Sequence, residues 1–285
     1  KAYCDRPARS EIRLRRKINR LWREVDWAWF TRGESILYWH WSPNYGWKMN
    51  LPIRGYNEAL ITYVLAASSP THGVSADAYH RGWASGNWFR NGRTYYDRYL
   101  LPLGEDFGGP LFLAHYSFLG LDPRGLKDRY ADYWTQNKHQ AAINYLYCVQ
   151  NPRKFKGYSN VCWGLTACDN PDGYAAHSPT NDLGVIAPTA AISSIPYTPT
   201  QSLRALRYFY EELGSSLWGE FGFYDAYCPH RNWTARSTLA IDQGPIVIMI
   251  ENFRTGLLWR LFMQDQDVKR GLRMLEFTRD GKGWE

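Results

Sequence analysis

The helical stretches of this chain come in two kinds, and they take turns. Residues 55–67, 110–120, 181–194 and 244–253 are apolar nearly all round, whereas 10–30, 126–150, 199–213 and 266–275 set apolar positions at helical period against a polar face. A helix apolar on every side is buried on every side, and an amphipathic one keeps a face for water. Their alternation predicts concentric layers, inner helices ringed by outer ones: an all-α fold of the α/α toroid type. An ordinary helical bundle competes on periodicity alone. The long aromatic loops favour the toroid, because each enters an inner helix and a toroid gathers those entries at one mouth. A ring of six helical hairpins uses twelve helices, and about eight are readable here. The expectation is one toroid domain over 1–285, either small or incomplete at its front, with a flank of an inner helix left open.

Composition narrows the ligand. The chain holds 14 Trp and 21 Tyr, flat apolar faces with a polar handle, which suit sugars, whose faces are apolar and whose edges are hydroxyls. The net charge of +7 is scattered except for Arg13, Arg15, Arg16, Lys17 and Arg20. These alternate with Leu14, Ile18 and Leu21, so a solvated helix face is expected and no nucleic-acid groove. No apolar run approaches the length of a membrane span. Five Cys form no CxxC, and Cys162 and Cys168 read equally as a bridge or as small residues. The histidines lack zinc-like spacing, and neither HExxH nor GxSxG occurs, so no metal or other cofactor is expected. Chemistry with two carboxyl groups is what remains. A monomer is expected, with any leader removed or upstream of Lys1. That fits a periplasmic or secreted protein and leaves the cytoplasm open.

Residues 38–73 begin as an aromatic loop punctuated by Pro and Gly and continue into an apolar helix, with Glu58 in its expected first turn. Two readings of Glu58 stand side by side. It stabilises the helix through the dipole, or burial among aromatics keeps it protonated as a general acid. Asp242, in Ala240-Ile241-Asp242-Gln243-Gly244-Pro245, occupies the same loop-to-helix position; it reads as an N-cap or as a second catalytic carboxyl. Glu251, further along that helix, would need Arg254 or Arg260 as partner. Asp169, Asp172, His177 and Asp182 suit hydroxyl binding, and Asn170-Pro171-Asp172-Gly173 is equally a plain turn. Aromatics on either side of Asn91-Gly92 predict a hairpin turning at that pair.

Several collinear motifs resemble one family. They include Tyr38-Trp39-His40-Trp41-Ser42-Pro43-Asn44-Tyr45-Gly46-Trp47, Gly55-Tyr56-Asn57-Glu58, Gly108-Gly109-Pro110-Leu111-Phe112 and His115-Tyr116-Ser117, followed by Leu165 to Tyr174, His177 to Asp182 and Ala240 to Val247. Together they look like the glucoamylase-like domain of glycoside hydrolase family 144 over nearly the whole chain. The resemblance implies an (α/α)6 toroid and inverting hydrolysis of β-1,2-glucan, including sophoro-oligosaccharides, with endo action expected. Related domains accompany cyclic β-1,2-glucan synthases, so a glycan-processing domain of a synthase is one alternative and a non-catalytic glucan-binding domain another. Glu58 matches the family's general acid. An acidic upstream segment of the family has no counterpart here, which leaves the second carboxylate as Asp242 or a residue outside this sequence. On this reading Trp39, Trp41, Tyr45, Trp47, Trp163 and Tyr174 stack on sugar rings, and Arg54, His115, Asp172 and His177 bind hydroxyls.

Overall fold

The computed structural model describes residues 1–284. Its helices are α1 (Arg9–Glu24), α2 (Leu60–Ser68), α3 (Tyr133–Gln150), α4 (Pro188–Ile192), α5 (Pro199–Arg207), α6 (Gly214–Leu217), α7 (Ala240–Thr255), α8 (Leu257–Met263) and α9 (Gln266–Met274). Six two-stranded antiparallel ladders run between them, so the chain is helix-rich and not purely helical. Those that matter below are β1 (Tyr38–Trp39) with β2 (Leu51–Pro52), and β3 (Arg90–Tyr95) with β4 (Tyr99–Leu103). Further along, β5 (Leu126–Lys127) pairs with Thr278–Arg279, and β6 (Ala167–Asn170) pairs with β7 (Gly173–Ala176).

Two apolar cores fill the interior. One gathers α2, α9 and the π-helical turn Ala78–Trp83 around Tyr63, Tyr79 and Trp83, all fully buried. The Tyr79 and Trp83 rings stack at 5.2 Å. Side chains of this size contribute about 2–3 kcal/mol each on burial. Close helix approach is part of this core: a Cβ on Gly271 of α9 would lie 2.0 Å from Ser68 Oγ and 2.9 Å from the Val64 carbonyl oxygen of α2. The second core packs α4 and α7 with Trp163, Ile186, Phe209 and Trp259. α8 is tied to the segment between the cores by Trp259 Nε1, which donates to the Phe118 carbonyl at 2.6 Å.

Several expected helices are shorter or different, and the reasons lie in backbone pairing. Residues 110–120 form two 3₁₀ turns, Leu111–Ala114 and Tyr116–Leu119, instead of an apolar α-helix. The N–H groups of Leu111 and Phe112 donate outward, to the Leu165 carbonyl and Thr166 Oγ1. The stretch 181–194 shrinks to α4, because Ile186 pairs with Tyr227 and the Ala187 N–H with the Gly164 carbonyl before Pro188 opens the helix. The hairpin near 88–96 exists, but its turn is Tyr96–Arg98. Asn91-Gly92 is an irregularity inside β3, where the Asn91 amide is engaged by the Glu105 carbonyl at 2.7 Å. By contrast α7 is longer than expected, and Ile241, Val247 and Phe253 on it are exposed at 57%, 68% and 44%. All five cysteines are free thiols, so Cys162 and Cys168 act as small buried residues. No described helix is long and apolar enough to cross a membrane.

Candidate active site

Glu58 is not in α2. It sits in the turn leading into the helix, two residues before Leu60, with Ala59 as N-cap. That turn is held from several sides. Gly55, at φ +88°, donates to the Trp83 carbonyl at 2.8 Å. Asn57 Oδ1 accepts from Trp83 Nε1 and from the Ala59 N–H, both at 3.0 Å. Asn57, not Glu58, therefore satisfies the backbone where the chain enters α2. The Glu58 carbonyl accepts from Ser117 Oγ at 2.5 Å, and that hydroxyl oxygen in turn accepts from the Ile61 N–H at 3.0 Å. Its carbonyl is bound to Ser117, and the Glu58 side chain is left exposed. It projects onto the wall of a cavity of about 420 Å³, whose other walls include Trp27, Phe30, Tyr38, Trp39 and Tyr116.

Asp242 is almost completely buried in the first turn of α7. It is no N-cap: Leu239 holds that position without a side-chain bond. Beside it lies Asp225, 1% exposed. Asp225 Oδ2 accepts the Asp169 N–H at 2.6 Å, while Asp225 Oδ1 and Asp242 Oδ2 have no hydrogen-bond partner among the described residues. Burial first, then the neighbouring Asp225 and Asp169, pushes the Asp242 carboxyl up to about 8; Asp225 is also raised, chiefly by burial. Ser237 Oγ donates to Asp169.

Tyr116 joins the two regions. Its hydroxyl donates to the carbonyl of Ile241, next to Asp242. Its ring lines the cavity that holds Glu58. Burial, then the charges of Asp242, Tyr174, Glu58 and Asp225, raises its phenol well above the ordinary value. Two carboxyl-bearing regions thus meet at one phenol beside an aromatic cavity, an arrangement able to pass protons to and from a bound hydroxylated ligand. No cluster of His, Cys, Asp and Glu among the described residues is arranged to hold a metal ion.

Residues 50–266 match the family model described as "Putative glucoamylase". A curated relative from Parabacteroides distasonis, an exo β-1,2-glucooligosaccharide sophorohydrolase acting at the non-reducing end, is 41% identical over 96% of this chain. The chain belongs to the glucoamylase-like family. It spans 41% of that relative's length. Among solved structures, an endo-β-1,2-glucanase from Chitinophaga pinensis, in complex with sophorotriose and glucose, is 50% identical with a TM-score of 0.93. The match covers 97% of this chain and 68% of that one. A Bacteroides uniformis protein, described in the same words as the family, is 58% identical with a TM-score of 0.95, covering 98% of this chain and 68% of its own.

In this glucoamylase-like chain the other expected site residues divide into two groups. Trp39 lines the cavity and is half exposed. Trp41, Tyr45 and Arg54 are exposed, and Trp47 packs against Trp29 at 4.7 Å. Tyr174, exposed on β7, pairs across the ladder with Asp169 and is raised to about 12 by burial and by Asp242 and Asp225. Asp172 lies in the β6–β7 turn, its N–H donating to Asn170 Oδ1 at 2.9 Å, and forms an ion pair with Arg231. Trp163, His115 and His177 lie in the interior. His115 Nε2 meets Ser194 Oγ at 2.9 Å, and burial lowers its imidazole to about 3. Both His177 ring nitrogens are buried without partners. Burial of these three removes them from direct reach of a ligand in the cavity.

Three residues at the site escape the sequence reading: Tyr116, Asp225 and Trp27. Trp27 lines the cavity, and its buried indole N–H has no acceptor among the described residues. A faint signal for Asp225 exists in Gly222-Phe223-Tyr224-Asp225-Ala226-Tyr227, where one carboxylate is set among apolar and aromatic residues.

Proposed function

We propose that this chain hydrolyses β-1,2-linked glucan, sophoro-oligosaccharides included, with Glu58 and Asp242 as the two reacting carboxyl groups. The observation that carries this reading is the aromatic cavity with the Glu58 carboxylate on its wall and Tyr116 leading from it to Asp242. Family membership and the activities of the two β-1,2-glucan hydrolases above supply the substrate class. Glu58 protonates the glycosidic oxygen, and Asp242 takes a proton from the water that attacks the opposite face of the ring. Inversion follows when the carboxyl groups stand about 6.5–9.5 Å apart. Trp39 and Tyr174 stack on sugar rings, with Trp41, Tyr45, Trp47, Arg54 and Asp172 available to a longer chain at the rim. An endo-acting enzyme within an (α/α)6 toroid is the form proposed.

Burial favours a variant of this mechanism. Asp242 is the carboxyl that burial holds protonated, whereas Glu58 is exposed, which suits Asp242 as donor and Glu58 as base. Linear β-1,2-glucan and an aryl β-sophoroside with an activated phenol leaving group decide between the two. Glu58→Gln and Asp242→Asn are each expected to lower turnover of the glucan at least about 10²-fold. The donor variant alone keeps most of its rate on the aryl substrate, whose leaving group needs no proton. Full glucan turnover by both variants would overturn the assignment. Glycan binding by calorimetry with no reducing sugar released by the unaltered chain would select a binding unit instead.

A further inference from the structure

Asp225 and Asp242 are both almost completely buried, at 1% and 5% exposure, and each keeps one carboxyl oxygen without a hydrogen-bond partner. Two ionised carboxylates in that position would carry two uncompensated charges out of water, which burial strongly disfavours. Among the described residues no Arg, Lys or His compensates either one. The groups facing them are all acidic or neutral: Asp169 and Cys168 on β6, Tyr174 on β7, and Tyr116 on its 3₁₀ turn. Thr189 of α4 is already spent on the Asp242 carbonyl, at 2.7 Å. Ser237 is spent on Asp169. Among the described residues, the backbone donor that reaches the pair is the Asp169 N–H, which goes to Asp225 Oδ2. That bond favours negative charge on Asp225, so the proton that relieves the repulsion belongs on the Asp242 side.

We propose that Asp225 and Asp242 hold a single proton between their two unpartnered oxygens and work as one acid–base unit, Asp225 being the positioning residue that keeps that proton at Asp242. The function of this pair rests on the reading of Asp242 as a reacting carboxyl. The proton balance is simple. When the pair donates to a leaving oxygen, the O–H bond of Asp242 breaks, the glycosidic oxygen gains the proton, and two carboxylates remain until solvent returns one proton. When it accepts from water instead, the pair holds two protons and later releases one. In both directions the pair changes by one proton from a singly protonated resting state. Asp169, with its charge bound by Ser237 and its N–H directed at Asp225, fixes which carboxyl is the anion.

The resting proton can be read without any catalysis. Infrared difference spectra of the unaltered chain at neutral pH are expected to show a buried carboxylic-acid band that bleaches as the pH is raised through about 8. Both Asp242→Asn and Asp225→Asn are expected to abolish it, because the carboxyl that remains gains an amide donor and ionises. Absence of the band in the unaltered chain, or its persistence in Asp225→Asn, overturns the proposal. The first of these needs no variant to fold. In turnover, Asp225→Asn is expected to shift the limb of the pH profile set by Asp242 acidward by about one unit or more. Its KM stays within about twofold, and Asp225→Glu restores part of the limb. A normal profile for Asp225→Asn overturns the positioning role. A chain that shows the band but never cleaves β-1,2-glucan retains the shared proton and loses only the hydrolase reading.

Discussion

Replacing Tyr116 by Phe removes one hydroxyl and nothing else, yet that hydroxyl is the bond between the Glu58 cavity and the first turn of α7. Tyr116→Phe is expected to cost about 1 kcal/mol in stability, measured by denaturant midpoint, and to lower kcat on β-1,2-glucan about tenfold with KM little changed. An unchanged kcat would show that the phenol does not hold Asp242 in register. The sequence makes clear why Tyr116 is easily missed. His115, Tyr116 and Ser117 sit in one motif, and histidine has the more reactive side chain. Near a 3₁₀ turn, with about three residues per revolution, successive side chains leave in directions roughly 120° apart. His115 is thereby turned to the interior and stacks with Tyr197, Ser117 reaches the Glu58 carbonyl, and Tyr116 faces the cavity. Glu58 and Asp242 are legible as carboxyls at loop-to-helix junctions. Asp225 is not, because its partner lies in another element and only folding brings the two together.

Elements whose ends are set by local chemistry are readable in the sequence, and those whose ends are set by distant partners are not. The C-terminus of α3 is of the first kind, falling at Gln150 as expected with Asn151 left-handed after it. Its start, expected near 126, falls at Tyr133: Leu126–Lys127 pairs with distant Thr278–Arg279, and Asp132 accepts the Thr135 N–H at 3.0 Å. Asp132→Ala is expected to cost about 1 kcal/mol by thermal melting. Residues 110–120 are of the second kind. Their apolar pattern reads as a helix, but their donors are claimed by Leu165 and Thr166, which no local window contains. The α2–α9 crossing gives a sharper test of distant pairing. With its Cβ 2.0 Å from Ser68 Oγ, Gly271→Ala is expected to destabilise by about 1–3 kcal/mol. Adding Ser68→Ala is expected to return only part of the loss, because the Val64 carbonyl stays in place. Complete recovery in the double variant would show that the backbones can separate there.

At the scale of the whole molecule, stability depends on pH through groups held away from their ordinary ionisation. Asp242 moves from an ordinary 3.8 to about 8 on folding. The folded state therefore binds the extra proton between those values, and stability falls as pH rises through that window. His115 moves the other way, from 6.5 to about 3. The unfolded state binds its proton first, so stability falls as pH drops through that range. Of these two groups, Asp242 alone acts above about 6.5 and His115 alone below about 3.8. Melting temperature is expected to decline from pH 6.5 to 8, with Asp242→Asn flattening that decline. A flat alkaline limb in the unaltered chain would contradict the buried proton. The helix expected to be apolar and buried on every side, α7, is buried along one side and carries Val247 in water on the other. Adjacent residues Tyr116 and Ser117 grip backbones 125 and 59 positions away, at Ile241 and Glu58. One dipeptide thus acts as a calliper for the two carboxyls. On the proposed reading of Glu58 and Asp242, their separation sets whether the anomeric centre is inverted or retained, so that outcome is gauged by two side chains that carry neither carboxyl.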